Sequence, residues 1–533
     1  MAEAASVDVV RWQVERAELM SRIGPRFARE SWRLAVDLVA GLMSDLPRKN
    51  CWAIAGRAGH DSPDGLQYLL ARASWDHDGV RDDVRDFVVA GLGNENAVLV
   101  VDETGDLKKG AATVGVQRQY TGTAGRVESA QVAVHLTYTT EAGHAFIDAE
   151  LYLPELWTSD PERLAAAGVP AEVGFATKPE LAKRRITRAL DAGVPAAWVA
   201  GDEVYGASTD LRSELEKRQL GYVLVVGCDH RITTRAGALR ADKIAATLPR
   251  SAWQRLSAGN GAKGKRWYHW ALIDIADPSA GHRWLLIRRN LATGEVAYFR
   301  CYSPAPVPLR TLVRTAGLRG TVEESFQAGK GLCGLDEHQV RRWVSWRRWT
   351  ILAVLAFAYL AIQAAQHRSQ PPPGGLAPLT CNEICHLINN LTRRPHNPAH
   401  SLHWSTWRQH TSTDQDSATT DDAETTKITI TAVALAGRRL DRAGRTGMGG
   451  AARSRNVPRG VHGGRRGFLR RSRSHGATRQ RGGRPIPGQP ARVGRPRLRH
   501  GVVLVCGHVH ERGQREHDQC PRAELVQGPS GDR

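Results

Sequence analysis

Three acidic positions in this sequence have the residue types and the surroundings that metal-dependent chemistry requires. Asp102 and Asp202 each follow a short apolar run, and two adjacent glutamates, Glu323 and Glu324, lie further along the chain in a predicted helix. Carboxylates from separate elements can hold a pair of divalent metals, which is the minimum set of groups for cutting and rejoining phosphodiesters. The sequence therefore predicts a metal site with one ligand from each of three elements.

The elements around these acids indicate how they would meet. Residues 97–101 form an apolar run rich in valine, typical of a strand covered on both faces, and residues 196–201 repeat the pattern. Acids that end two such strands can point toward the same edge of a sheet, where open α/β folds place their ligands. Glu323 and Glu324 face directions roughly 100° apart on a helix, so we expect at most one of them to be a ligand.

The periodicity of the whole chain predicts an α/β fold with a mixed sheet, flanking helices and a β-rich insertion. It further predicts strands at 131–138, 145–153 and 222–226, and helices at 179–192, 208–219, 321–330 and 336–366.

We expect six segments: an all-α, DNA-binding domain (1–92), the first part of the catalytic core (93–227), the β-rich insertion (228–305), the helical second part of the core (306–370), a C-terminal helical extension (371–410) and a disordered basic tail (411–533).

The N-terminal segment contains two short predicted helices joined by the turn Gly59–Gly65. Such a pair could form a helix-turn-helix that presents Leu66–Trp75 to a DNA groove. An ordinary helical bundle explains the same pattern, so the sequence leaves both arrangements open.

The charge of the chain is strongly positive and unevenly distributed. The net charge is +20, which indicates a polyanionic partner such as nucleic acid, because Lys and Arg gain free energy by releasing counterions from phosphates. Residues 411–533 contain 23 Arg, 1 Lys and 11 Asp or Glu, and so carry +13 of the total. This tail is either a disordered nucleic-acid-binding arm or translation beyond the true end of the gene, and the ratio of Arg to Lys favours the second explanation.

Cysteine content and hydropathy predict a cytoplasmic protein. The eight cysteines are spread thinly, unlike a disulfide scaffold, and the N-terminus shows no secretory signal. The most apolar run, Trp349–Ile362, is shorter than the roughly 20 residues that span a bilayer, so we expect a buried helix there.

Several further side chains are candidates for contact with DNA. Lys108 and Lys109 closely follow Asp102, although a polar turn after a strand would look the same. Tyr205 could stack on a frayed base, or pack beneath its own loop. The Trp- and Arg-rich stretch 341–349 predicts an amphipathic helix with one core face and one basic, DNA-facing side.

These features together resemble the DDE transposases of bacterial insertion sequences, in particular insertion-sequence family 701, a relative of the larger family four. In family four the third acid lies in a signature of Tyr, two residues, Arg, three residues, Glu, six residues, Lys. Arg319, Glu323 and Lys330 fit that spacing, Ala316 takes the Tyr position, and Gly320 stands where many relatives have tryptophan. The signature selects Glu323 over Glu324.

The resemblance extends over roughly residues 20 to 410. The blocks that carry it are Val101–Gly110, Gly115–Gly122, Leu151–Pro154, Phe175–Pro179, Gly201–Gly206 and Gly334–Asp336. It implies an RNase H-like core with Asp102 on the first strand, Asp202 after the fourth strand and Glu323 on a late helix.

The resemblance also implies roles and partners. Asp102, Asp202 and Glu323 would be the catalytic residues and the ligands of two Mg²⁺ ions, for which Mn²⁺ could substitute. Arg319 and Lys330 would bind DNA phosphates near the scissile bond. The protein would act as a homodimer on double-stranded DNA, at terminal inverted repeats and at target DNA, in the bacterial nucleoid. Cut-and-paste transposition is the expected function; the alternatives are an inactive repeat-binding copy and an RNase H-like nuclease without strand transfer.

Overall fold

The computed structural model describes residues 9–234, 237–261, 264–370, 376–391, 399–400 and 402–407. The predicted tail, 411–533, lies outside the described residues, as does the Pro- and Gly-rich stretch 371–375.

The described chain is a mixed α/β structure. Its helices are α1 (Val9–Ile23), α2 (Arg29–Leu42), α3 (Cys51–Ala58), α4 (Asp64–Ala71), α5 (His77–Leu92), α6 (Glu155–Thr158), α7 (Pro161–Ala167), α8 (Lys178–Asp191), α9 (Glu203–Gly206), α10 (Thr209–Lys217), α11 (Ala241–Thr247), α12 (Leu309–Leu318), α13 (Thr321–Cys333), α14 (Trp343–Ser369) and α15 (Cys381–Leu391). Its strands are β1 (Val98–Leu107), β2 (Gln117–Thr121), β3 (Arg126–Thr139), β4 (His144–Tyr152), β5 (Trp198–Gly201), β6 (Gly221–Val226), β7 (Arg231–Thr234), β8 (Gly237–Arg240), β9 (Gln254–Gly261), β10 (Gly264–Asp274), β11 (His282–Asn290) and β12 (Val296–Ser303).

One large mixed sheet organises the molecule. Its strand order is β2-β3-β1-β5-β6-β12-β11-β10-β9, and β4 pairs with β3 beside β2. β1 is antiparallel to β3 but parallel to β5, and β5 is parallel to β6. The parallel strands β5 and β6 are covered by helices on their connections, which fits their nearly continuous burial. The predicted mixed sheet with flanking helices is confirmed.

The β-rich stretch predicted at 228–305 extends this sheet rather than standing beside it. β12 pairs antiparallel with β6, and β11, β10 and β9 follow in turn. Only β7 and β8 form a sheet of their own in the described part of the chain. The structure also adds the short strand β2, so Asp202 follows the fifth strand along the chain and not the fourth.

Most predicted elements are confirmed with small shifts of their ends, but the helix predicted at 336–366 begins seven residues too early. α13 ends at Cys333, and the left-handed backbone of the capping residue Gly334 (φ 59°) suits glycine. The chain then stays irregular until α14 starts at Trp343.

The five N-terminal helices share one hydrophobic core with the sheet and with α14. α4 turns Leu66, Leu69 and Leu70 inward, while Tyr68 on its outer face is half exposed. This packing gives α4 a bundle-like inner face and leaves its outer face open, so the DNA-binding role of this segment stays a prediction.

α14 is the central helix of that core. It is long and apolar enough to cross a membrane, but 89% of its most apolar 18-residue window is buried within the protein. The predicted buried helix at Trp349–Ile362 is therefore confirmed.

The prediction that this helix has a basic, DNA-facing side is wrong for two of its arginines. Arg348 is buried and donates to the main-chain oxygens of Leu69, Leu70 and Ala73. Arg347 pairs with Glu150 and Asp78. Both guanidinium groups are used to join α14 to neighbouring elements, because buried carbonyl and carboxylate oxygens require donors.

We expect Arg348→Leu to destabilise the protein, since it removes the guanidinium donors from the Leu70 and Ala73 oxygens at the end of α4. The Leu69 oxygen would keep the indole N–H of Trp75 as a donor. The expected loss is about 2–4 kcal/mol of unfolding free energy, from the cost of the unsatisfied buried groups. Urea denaturation of the two variants Arg348→Leu and Arg342→Leu would measure it, because Arg342 is exposed at the start of α14. Equal midpoints for both variants would contradict this role of Arg348.

Candidate active site

The register of β1 against β5 brings the two predicted aspartates together. The parallel pairing ends with Val101 opposite Gly201, so Asp102 and Asp202 are the next residue on each side. The prediction that Asp102 ends its strand is wrong, because β1 continues to Leu107 through its pairing with β3. Asp202 does end β5, and it caps α9 by accepting a hydrogen bond from the Val204 amide at 2.9 Å.

A glycine allows α9 to lie against β6 and so fixes the position of Asp202. A Cβ atom on Gly206 would overlap the main-chain oxygen of Val225. No other residue type would permit this approach, which explains the glycine at the end of the Gly201–Gly206 block.

Glu103 is a third carboxylate at this position and was not predicted. One carboxylate oxygen each from Asp102, Glu103 and Asp202 lie within 4.8 Å of one another. Glu103 also accepts hydrogen bonds from the Lys178 ammonium at 2.7 Å and the Tyr205 hydroxyl at 2.6 Å. Successive side chains on a strand normally point to opposite faces, so the sequence offered no reason to group Glu103 with Asp102.

Arg319 joins the predicted third acid to this cluster. Its guanidinium donates to Asp102 Oδ2 at 3.0 Å and to Glu323 Oε1 at 2.9 Å. Glu323 lies in the first turn of α13 and its side chain is 66% exposed, outside the compact group of three carboxylates. In this structure Glu323 is therefore connected to Asp102 indirectly, by the guanidinium of Arg319.

The neighbouring Glu324 points elsewhere, as expected for adjacent residues on a helix. Its carboxylate lies 3.4 Å from His144 Nε2, on β4. This pairing with His144 lowers the pKa of Glu324. Of the two glutamates, Glu323 is the one connected to Asp102.

The buried position of the aspartates changes their acidity. Burial raises the pKa of Asp102 to about 7; the Arg319 charge opposes this shift, and the charges of Asp202 and Glu103 add to it. Burial and the charge of Glu103 also raise the pKa of Asp202. Both shifts favour the protonated, uncharged form of these acids as long as no cation is bound to them.

This donor set fits divalent cations. Within the described part of the chain, two positive side chains, Arg319 and Lys178, pair with this group of four carboxylates, those of Asp102, Glu103, Asp202 and Glu323. Hard cations such as Mg²⁺ prefer carboxylate oxygens. Arg319, which pairs with Asp102 and Glu323, supplies positive charge to the same carboxylates that a divalent cation would bind.

The predicted phosphate ligand Lys330 lies in a separate buried cluster beneath β1. Its ammonium is 3.0 Å from Asp106 Oδ1 and donates to the Gly105 oxygen at 2.9 Å. Although burial disfavours the charged acid, the hydrogen bond from His338 and the Lys330 charge hold the pKa of Asp106 well below its usual range. Contact between Lys330 and DNA stays a prediction and would require this ion pair to open.

The other predicted DNA contacts occupy different environments. Lys108 donates to the main-chain oxygens of Asp336 and His338, both at 3.1 Å, whereas Lys109 is exposed. Tyr205 is fully buried beneath its own loop, with its hydroxyl on Glu103. In this structure only Lys109 of these three is open to a nucleic acid.

Comparison with known proteins agrees with this geometry. Residues 19–250 match the family model described as DDE superfamily endonuclease, a span that includes both aspartates but ends before Glu323. The chain is also 32% identical over 197 residues to the probable transposase for insertion sequence element IS701 of Microchaete diplosiphon. Over these spans the chain is similar to DDE superfamily endonucleases and to a transposase of the insertion-sequence 701 type. The predicted resemblance is confirmed.

The extent of these similarities is limited. The alignment with the IS701 protein covers 37% of this chain and 49% of that relative, so the chain matches about half the length of its curated relative. A solved structure, the piggyBac transposase synaptic complex with hairpin DNA, aligns over 74% of this chain and 81% of its own at 11% identity, with a TM-score of 0.39. A similarity of that size is too weak to establish a shared fold.

We expect the Asp102→Asn variant to be more stable than the metal-free wild type at high pH. The pKa of Asp102 is about 7 in the folded protein and about 4 in an unfolded chain, so the folded state holds this proton more tightly. The free energy of unfolding that Asp102 contributes therefore falls as pH rises from about 4 to about 7. The melting temperature of the variant minus that of the wild type should therefore be larger at about pH 8 than at about pH 5.

Thermal unfolding in the presence of a chelator would measure this difference. Asp61→Asn is a suitable control because Asp61 is an exposed acid in the α3–α4 turn. A melting-temperature difference for Asp102→Asn that does not change with pH would contradict the raised pKa.

We expect Lys330→Met to lower the stability of the protein by about 3–5 kcal/mol, since it leaves the Asp106 carboxylate buried without its ammonium partner. Lys109→Met removes the same charge from an exposed position and should have little effect. Chemical denaturation of both variants distinguishes a structural lysine from a solvent-exposed one. Equal stability of the two variants would show that the Lys330–Asp106 pair contributes nothing to the fold.

Proposed function

We propose that this protein is a cut-and-paste DNA transposase that binds the terminal inverted repeats of its element, cleaves the DNA and joins the released 3′ ends to a target. The observation that carries this proposal is the side-by-side placement of Asp102 and Asp202, with Glu323 linked to Asp102 through Arg319. The match to the DDE endonuclease model and the transposase relative support the same reaction class.

The acids would serve this reaction by holding divalent metal ions, for which we propose two Mg²⁺, with Mn²⁺ as a substitute. When bound, such ions activate the attacking oxygen and stabilise the leaving oxygen of an in-line displacement. Asp102 and Asp202 are fixed by the sheet and by the cap of α9, so they provide the rigid part of the site. Glu323, on the exposed first turn of α13, is the adjustable ligand.

Glu103 would orient the other acids rather than react. Its carboxylate is already bound by Lys178 and by the Tyr205 hydroxyl. Those two contacts hold the chain on both sides of the aspartates, because Lys178 begins α8 and Tyr205 lies on α9. The arrangement lets Asp102 and Asp202 remain close despite their mutual repulsion.

Double-stranded DNA is the proposed partner, and a homodimer on DNA the proposed assembly, since two transposon ends must be processed together. Lys109 on the surface and Arg319 at the acids are the candidate contacts nearest the site. Two rival functions are an inactive copy that still binds repeats and a nuclease without strand transfer. The absence of the signature tyrosine and tryptophan at Ala316 and Gly320 favours the inactive copy as the stronger rival.

We expect cleavage and joining of labelled terminal DNA in the presence of Mg²⁺ or Mn²⁺, and loss of both activities by at least about 100-fold in Asp102→Asn, Asp202→Asn and Glu323→Gln. Glu324→Gln is the matched control, because it changes the neighbouring glutamate, which pairs with His144 instead. A strand-transfer assay on gels reads cleavage and joining separately.

The possible outcomes separate the three functions. DNA binding without cleavage by the wild-type protein would identify an inactive copy, and cleavage without joining would identify a nuclease. Full activity of Glu323→Gln with loss in Glu324→Gln would show that the third acid has been assigned to the wrong glutamate.

A further inference from the structure

The guanidinium of Arg319 lies between two of the acids proposed above to hold metal, Asp102 and Glu323. Its two terminal nitrogens contact Asp102 Oδ2 and Glu323 Oε1 at 3.0 and 2.9 Å. A divalent cation bound by the same oxygens would lie against a positive charge at very short distance, where like charges repel strongly. The arginine and the metal therefore compete for the same carboxylates.

The surroundings of Arg319 allow its side chain to leave. Its Nε is buried without a hydrogen-bond partner, so the contacts of the guanidinium are incomplete. The side chain is 26% exposed and the Glu323 side chain 66% exposed, which leaves one side of the ion pair open to solvent.

The main chain at this position is held independently of the Arg319 side chain. Arg319 lies between the end of α12 and the start of α13. Arg266, from β10, donates to the Gly317 oxygen at 3.0 Å and to the Ala258 oxygen at 3.0 Å, and so ties the end of α12 to β9. The guanidinium can consequently change partners without displacing either helix.

The partner that would draw Arg319 away is a phosphate diester of DNA. A guanidinium binds phosphate oxygens through two parallel hydrogen bonds, in the way it binds carboxylates. DNA placed at this site would offer such an oxygen beside the scissile bond, and the transfer of Arg319 to it would free Asp102 and Glu323 together.

We propose that Arg319 is an internal counter-cation that holds the site closed to metal until DNA arrives, so that metal binding and DNA binding are coupled. This inference rests on the proposed function, since it requires Asp102 and Glu323 to be metal ligands. Coupling of this kind is reciprocal: DNA tightens metal binding, and metal tightens DNA binding by the same factor. The protein without DNA would then carry little metal at its catalytic acids.

The test is a titration of Mn²⁺ into the full-length protein, with bound metal measured from the loss of the free Mn²⁺ signal in electron paramagnetic resonance. It is repeated with a short mixed-sequence DNA duplex, after subtraction of a titration into the duplex alone. We expect the duplex to tighten Mn²⁺ binding to the wild-type protein by at least about tenfold. No change in affinity would overturn the inference without any variant being needed.

Arg319→Gln provides the second measurement. Without DNA it should bind Mn²⁺ at least about tenfold more tightly than the wild type, and DNA should add little further. Arg314→Gln is the matched control, because it removes a positive charge from the adjoining helix α12, where Arg314 pairs with Glu141 away from the acids. Equal affinities of the Arg319 and Arg314 variants for Mn²⁺ would overturn the inference.

Asp102→Asn separates a failure of the inference from a failure of the proposed function. If this variant, measured with the duplex present, binds Mn²⁺ as tightly as the wild type does with the duplex, the metal is held elsewhere, and both the metal site and the inference are wrong. If Asp102→Asn abolishes Mn²⁺ binding while Arg319→Gln has no effect, only the inference is wrong.

Discussion

The parallel pairing of β1 with β5 is the constraint on which the rest of this structure depends. It places Asp102 and Asp202 side by side, with Asp102 buried and Asp202 partly buried. Burial raises the pKa of each carboxylate, and neighbouring negative charges add to the shift: those of Asp202 and Glu103 at Asp102, and that of Glu103 at Asp202. Sheet hydrogen bonds and the hydrophobic core hold Asp102 and Asp202 close together. Neighbouring elements supply the cationic groups that offset the cost of bringing these two carboxylates together.

Those compensating groups come from parts of the chain that are distant in sequence. Lys178 at the start of α8 and Arg319 at the end of α12 provide the positive charges at the acids. Beneath β1, Lys330 and His338 surround Asp106 in a second, more buried cluster. The two clusters differ in charge. In the lower cluster, around Asp106, the acid is neutralised by Lys330, and this pair fixes α13 to β1. The upper cluster, around Asp102 and Asp202, keeps more acidic than basic side chains. That excess is the physical reason to expect metal ions at the upper cluster and not at the lower.

The match to the family model and the geometry concern different parts of the candidate site. The match to the DDE endonuclease model spans residues 19–250 and therefore includes both aspartates but not Glu323. The assignment of the third acid depends on the spacing from Arg319 to Lys330 and on the contact of Arg319 with both Asp102 and Glu323. A guanidinium binds phosphate and carboxylate oxygens with the same geometry, so Arg319 is suited both to bind a DNA phosphate and to act as a counter-cation for the acids.

The sequence by itself determined the elements and the candidate acids, because apolar periodicity and strand-ending acids are local properties of the chain. It predicted the strands around both aspartates, the buried central helix and the separation of Glu323 from Glu324. Only the tertiary structure decided the partners: that Glu103 joins the aspartates, that Lys330 lies on Asp106, and that Arg347 and Arg348 face inward. These pairings join residues far apart in the chain, and charge patterns along a sequence do not reveal which distant group will satisfy a buried ion. The desolvation that raises the pKa of Asp102 likewise exists only once the sheet and its covering helices have formed.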